Sequence, residues 1–241
     1  MSTVIREQIK AMLGPRWATR LRVATRALPV PRWGNLRRTR PFSEQFGFDR
    51  GTPIDRYYLH RFLEANRACI TGAVLEIQMS SYTKRYGSRV VTAHTVDINP
   101  AHDPTYVCDL ALADRVIPAE RYDCLLLPNS LSFFRNLDGC LRQALRVVKP
   151  GGVILASTAG FVPLVPDMPE YWRMSAEGWR EVSARVWPGC EVRVEAHGNC
   201  LAAVAAMLGL AHEELAAREL DSHDPRYPVL VTVRCRRPGA S

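Results

Sequence analysis

Hydrophobic residues along the chain fall into short runs separated by polar loops, and the runs are too short for anything but buried strands. Ala73-Val74-Leu75-Glu76-Ile77 is the first, with an acid near its carboxyl end. A polar loop over 78–88 leads to a second apolar segment, Val90 to Ile98, which carries Asp97 near its end. Thr105 to Leu110 is a third and closes on Asp109, and Tyr122 to Asn129 is a fourth. Leu131 to Val148 has helical spacing and is stopped by Lys149-Pro150-Gly151-Gly152, after which Val153 to Ser157 forms a fifth strand. Strands alternating with helices predict βαβ units and a parallel sheet covered by helices.

The flanks extend this pattern. Ile54 to Ile70 has an apolar helical stripe, with Asp55, Arg56 and Tyr57 on its first turn. Ser175 to Val186 reads as a helix with Ser175 as its N-cap. Cys190 to Ala196 and Val229 to Cys235 read as two late strands, with an Ala/Leu-rich helical stretch, Leu201 to Leu220, between them and a break near Gly209. Residues 29–53, rich in Pro and Gly, are a linker and lead-in loop. Before them Ile5, Ile9, Leu13, Trp17, Leu21 and Leu28 recur mostly four apart, and Gly14-Pro15 divides them into two short helices.

The strand ends concentrate the chemistry. In an open parallel sheet, ligands bind outside the carboxyl ends of the strands, and Glu76, Asp97, Asp109 and Asn129 all fall there. Roughly 20 residues separate Glu76 from Asp97, the distance at which an acid takes the ribose hydroxyls of a nucleotide. A nucleoside with a cis-diol is the natural ligand, with NAD and S-adenosylmethionine as the two alternatives. Each acid also has a plainer reading. Asp97 precedes Asn99-Pro100 and suits a turn, Asp109 suits the N-cap of the next helix, Asp55 suits a helix cap, and Asp123 suits the start of a strand.

Several of these motifs resemble those of class I S-adenosylmethionine-dependent methyltransferases. They are Val74-Leu75-Glu76-Ile77, Val96-Asp97-Ile98, Cys108-Asp109-Leu110, Tyr122-Asp123-Cys124 and, most specifically, Leu145 to Gly152 with its Lys-Pro-Gly-Gly turn. Gly51 to Tyr58, Tyr82 to Gly87, Tyr171 to Ser175 and His223 to Pro228 look similar to a bacterial group often encoded beside glycosyltransferases. The resemblance spans about residues 50 to 237. It implies a Rossmann-like α/β fold whose seven-stranded, mostly parallel sheet has helices on both faces and an antiparallel last strand. Residues 1–50 are then a basic helical extension and linker, and 51–241 the methyltransferase domain. It further implies that S-adenosylmethionine is the cofactor and S-adenosylhomocysteine the product. Arg56 or Tyr57 would reach the methionine carboxylate, and Glu76, Gln78 and Tyr82 would belong to the first-loop part of the cofactor site. Asp97 would take the ribose hydroxyls and Asp109 the adenine amine, with Ile98 and Leu110 beside them in the cofactor site, and Asn129 would form the floor by the methyl group. Tyr171, Trp172 and Arg173 are the acceptor-side candidates. The acceptor itself is read as a small molecule, sugar or glycan methylated on oxygen, in bacterial secondary or cell-envelope metabolism.

The first loop departs from the family's E-x-G-x-G. It reads Glu76-Ile77-Gln78-Met79-Ser80, with no glycine before Gly87. Either another loop shape supplies polar contacts, or the chain is a catalytically degenerate binding module acting through its basic arm. A nicotinamide oxidoreductase is disfavoured by the missing G-x-G-x-x-G. His197 is a weak candidate for a catalytic base, and the six scattered histidines imply no metal site.

Charge changes the picture only at the amino end. Residues 1–41 carry ten Lys or Arg and a single acid, Glu7, while the whole chain is +8, so the remainder is close to neutral. Such an arm suits an anionic membrane surface, an acidic partner, or packing on its own domain or on a second copy in a homodimer. Aromatic residues there are limited to Trp17 and Trp33, which argues against nucleic acid. Seven scattered cysteines without a C-x-x-C pair argue for a reducing cytoplasm, and no apolar run is long enough to span a bilayer. The expected location is cytoplasmic, peripheral to the inner membrane face if the arm binds there.

Overall fold

The computed structural model describes residues 32–239 and divides into two compact units between Thr39 and Arg40. The stripe from Ile5 to Leu28 lies outside the described residues. The described part of the first unit contains one short turn, Gly34–Leu36, with Trp33 and Leu36 exposed. Residues 40–50, read from the sequence as the end of the extension and linker, belong to the second unit. Glu213 accepts the Thr52 amide at 3.0 Å through Oε2, Arg50 pairs with Glu214, and the His212 amide donates to Thr52 O at 2.8 Å.

The second unit is a seven-stranded sheet. Its strands are β1 (Gly72–Ile77), β2 (Val90–Asp97), β3 (Tyr106–Val107), β4 (Tyr122–Leu127), β5 (Val148–Ala159), β6 (Glu191–His197) and β7 (Leu230–Arg236). They lie in the order β3-β2-β1-β4-β5-β7-β6. Neighbours from β3 through β5 are parallel, and β7 runs antiparallel between β5 and β6. The expected Rossmann-like architecture with an antiparallel last strand is therefore present.

Both faces of the sheet are buried, which is why the central strands read as continuous apolar runs. Along β4, Leu125 and Leu127 enter one core while Cys124 and Leu126 enter the other. The first core is covered by α3 (Leu137–Val147) and α4 (Ala176–Val186), the second by α1 (Ile54–Ala65) and α5 (Cys200–Met207). Two short helices, α2 (Ser81–Tyr86) and α6 (Ala217–Asp221), are the others of this unit among the described residues.

Element boundaries differ from the sequence pattern where side chains cap early. Asn136 accepts the Gly139 amide at 3.0 Å and starts α3 there, so the pattern from Leu131 splits into a tight turn, Leu131–Phe133, and the helix proper. The third strand is cut to two residues because Asp109 caps the turn Leu110–Arg115. The long stretch after Leu201 ends at Gly209, whose φ of +69° and close approach to Ser43 exclude any Cβ. Asp123 is structural: it accepts the Ala73 amide at 2.8 Å and bridges Lys149 of the Lys-Pro-Gly-Gly turn at 2.9 Å. Among the described residues no disulfide forms and no helix is long and apolar enough to cross a membrane.

Candidate functional site

The carboxyl ends of β1, β2, β4 and β5 meet at the point where strand order reverses between β1 and β4. Gln78 follows β1 directly with a φ of +67°, the left-handed corner that glycine usually fills. The turn is closed by the Met79 amide donating to Ile77 O at 2.9 Å, while the Gln78 amide donates to Val96 O of β2 at 2.9 Å. The first loop thus keeps a glycine-like corner without the glycine, and its side chain is exposed.

Glu76 has a different task from a ligand contact. Its carboxylate is buried and accepts the amides of Tyr82 and Thr83, at 3.0 and 2.7 Å, and the Thr83 hydroxyl at 2.6 Å. The two amides are orphan donors of the first turn of α2, so Glu76 caps that helix from the neighbouring strand. Burial raises its pKa, against the lowering effect of the Thr83 and Tyr82 hydrogen bonds. The Tyr82 ring is packed beside Tyr86 and edge-on to His60.

Asp97 stands at the end of β2 with its side chain 12% exposed. One oxygen accepts the Asn99 amide at 2.8 Å and the other meets His102 Nδ1 at 2.6 Å, a partner the sequence reading did not identify. A carboxylate has about four lone-pair sites, so acceptor capacity for two hydroxyls is left over. Ile98 beside it is 70% exposed. Asp109 caps its turn through the Ala111 amide at 2.9 Å, the plainer of its two readings, which leaves its second oxygen without a contact to the turn. Leu110, expected in the cofactor site, puts its side chain in the first core and leaves only its backbone for a ligand.

At the end of β4, Asn129 also has a positive φ, +46°. Its amide group donates to Asp55 at 2.6 Å and its carbonyl accepts from Ser157 at 2.8 Å. Asp55 is not a helix cap: α1 has no side-chain cap, and the Asp55 carboxylate instead takes Asn129 and, at 2.9 Å, Arg56. Ser157 is a member of this floor that the sequence pattern did not single out, and the pattern suggested Asp55 only as a helix cap. The spacing of Asp55 from Asn129 carries no local signal, because α1 reaches the floor only through tertiary packing.

Other expected contacts are redirected. Tyr57 turns to the opposite side of α1, where its hydroxyl donates to Asp221 at 2.7 Å and Arg61 donates to it at 2.7 Å. His197 is packed beside Tyr58, with Nε2 at 2.8 Å from the Thr232 hydroxyl, and has no contact with the Asp55–Asn129 floor. Burial lowers its pKa. In the loop after β5, Arg173 is not presented to an acceptor. It forks onto the buried carboxylate of Glu170 at 3.0 Å and donates to the carbonyls of Gly160, Val162 and Pro163, stapling the loop to itself. Trp172 donates to Phe134 O at 2.7 Å and packs on the first core, whereas Tyr171 is exposed together with Phe161, Leu164 and Met168.

The residues fit a nucleoside cofactor bearing a diol, an amine and a carboxylate. Asp97 and Asp109 have spare acceptor capacity, Arg56 is 26% exposed with donors beyond its bond to Asp55, and the buried Ser130 hydroxyl next to Asn129 has no partner among the described residues.

No family model and no curated protein matches the chain. Among solved structures, the [4+2]-cyclase SpnF is similar with a TM-score of 0.52 and 16% identity, over 76% of this chain and 82% of that one. A SAM-dependent methyltransferase from Archaeoglobus fulgidus is similar with a TM-score of 0.50 and 14% identity, over 76% of this chain and 92% of that one. At these identities the likeness is one of fold. The chain has the Rossmann-like class I methyltransferase fold, which in these two neighbours carries a cyclase and a methyltransferase.

Proposed function

We propose that the protein is an S-adenosylmethionine-dependent methyltransferase acting on an oxygen of a small molecule or sugar in bacterial secondary or cell-envelope metabolism. The observation that carries this reading is Asp97 and Asp109 at the ends of β2 and β3, beside a first loop that keeps a left-handed corner at Gln78. Asp97 would take the ribose hydroxyls, Asp109 the adenine amine, and Arg56 the methionine carboxylate, a group its planar fork matches. When bound, the cofactor supplies an electrophilic sulfonium methyl group.

The chain's own residues then align and deprotonate. Asn129, held by Asp55 and Ser157, fixes the floor, and this positioning is where a displacement reaction gains most. A hydroxyl acceptor would find in Asp55 the carboxylate able to take its proton, whereas a carboxylate acceptor would need no base. The exposed apolar side chains of Phe161, Leu164, Met168 and Tyr171 would cover the acceptor.

The test is calorimetric binding of S-adenosylmethionine and S-adenosylhomocysteine to wild type and Asp97→Ala, with NAD as control. Micromolar binding, about −8 kcal/mol, lost in the variant and absent for NAD, is expected. Failure of well-folded protein to bind either sulfur ligand would overturn the proposal and leave a binding module in its place.

A further inference from the structure

A cavity of about 390 Å³ lies between the carboxyl-terminal half of α1 and the outer strands β6 and β7. Its lining includes none of Asp97, Asp109, Asn129 and Asp55. Its volume is within the range of small-ligand sites, about 300–1,000 Å³.

The arrangement of charge in it is unusual. Arg193 of β6 and Arg234 of β7 are direct cross-strand partners in an antiparallel pair and both line the cavity. Like charges set opposite one another destabilise a sheet. Among the described residues Arg234 has one ion-pair partner, Glu191 at 3.2 Å, but Glu191 is 67% exposed and such surface pairs contribute little. Arg193 has no side-chain partner among the described residues. The other cation on this wall, Arg61, is already engaged by Asp221 and Tyr57.

The inner wall is polar and fixed. Thr232 is buried and bonded to His197, which stacks on Tyr58. Glu195, two residues from Arg193 on the same face, has no hydrogen-bond partner among the described residues and is left for a donor group. His223 lies on the rim. The chain's own arm, with ten basic residues and one acid over 1–41, has the wrong sign to fill a gap between two arginines.

We propose that this cavity binds the phosphate or carboxylate group of a small polar molecule between the guanidinium groups of Arg193 and Arg234, with Glu195 accepting a hydroxyl or ammonium hydrogen of the same molecule. Two guanidinium forks facing one oxyanion make bidentate, charge-assisted bonds, and the anion removes the repulsion between them.

The experiment is titration calorimetry at low ionic strength with inorganic phosphate and with malonate on the full chain, using wild type, Arg193→Gln, Arg234→Gln and, as a control, the exposed Arg115→Gln. Saturable 1:1 binding of at least one probe is expected, weakened tenfold or more in both site variants and unchanged in the control. Phosphate alone identifies a phosphoryl ligand, and malonate alone a carboxylate. Thermal unfolding of Arg193→Gln without probe guards against misfolding: loss of a like-charge contact should leave its Tm equal to or above wild type. Absence of saturable binding of both probes, or equal binding in wild type and both site variants, would overturn the assignment.

Discussion

The side-chain amide of Asn129 donates to Asp55 at 2.6 Å across 74 residues of sequence, and in doing so ties the first turn of α1 to the end of β4. Ser157 of β5 completes the link through the Asn129 carbonyl. Three elements thus converge on one planar side chain. Asn129→Ala removes both bonds while leaving a non-glycine residue at positive φ. We expect a loss of about 1–3 kcal/mol in unfolding free energy and a 10- to 100-fold fall in methyl transfer with little change in cofactor affinity. Urea denaturation and calorimetry separate the two. An unchanged turnover would remove Asn129 from the floor.

Gln78 supplies the next prediction. A non-glycine residue in the left-handed region costs about 1–2 kcal/mol, and glycine costs about 0.5–1 kcal/mol in chain entropy. Gln78→Gly should therefore raise stability by up to about 1 kcal/mol, and cofactor binding should persist because the corner is kept. Denaturant midpoints of the two proteins decide it. A marked destabilisation would mean that the Gln78 side chain holds the loop.

Much of this fold was readable from apolar runs, because strands buried on both faces must be apolar at nearly every position, as Val74-Leu75 and Cys124 to Leu127 are. The candidate site was legible in part. Asp97 and Asp109 announce themselves by standing where apolar strands end. Asp55, His102 and Ser157 do not, since only folding brings α1, the turn after β2 and β5 to those ends. Helix α2 was hidden for a related reason: its cap is Glu76, a residue on a strand and not in the preceding loop. Arg173 looked available because its partners, three carbonyls and Glu170, are invisible to side-chain patterns.

Glu76 should leave a signature in pH. Its folded pKa is raised, mainly by burial, so the folded state holds the proton more tightly than the unfolded chain. The sign follows: its contribution to stability is full below the ordinary glutamate range and declines as pH rises through the raised folded value. Glu76→Gln cannot titrate. The stability gap between wild type and this variant should be largest near pH 4 and narrow as pH rises, measured by urea unfolding in steps of one pH unit. A gap that widens with pH would show that the hydrogen bonds from Tyr82 and Thr83 outweigh burial.

Arg173 holds the loop after β5 by bonds to Glu170 and to the carbonyls of Gly160, Val162 and Pro163. These bonds close a surface segment on itself and reach no core, so their loss should open the loop without unfolding the sheet. Arg173→Ala should be cut by a protease of broad specificity within residues 160–173 at least tenfold faster than wild type, with Tm lowered by only a few degrees. Arg173→Lys should restore little, because one ammonium cannot span a carboxylate and three carbonyls as a planar fork does. If the acceptor is covered by Phe161, Leu164 and Tyr171, the same variant raises KM for acceptor while cofactor affinity stays put. Equal cleavage of wild type and Arg173→Ala would show that the loop is ordered by its apolar side chains, and the staple would then have no part in presenting them.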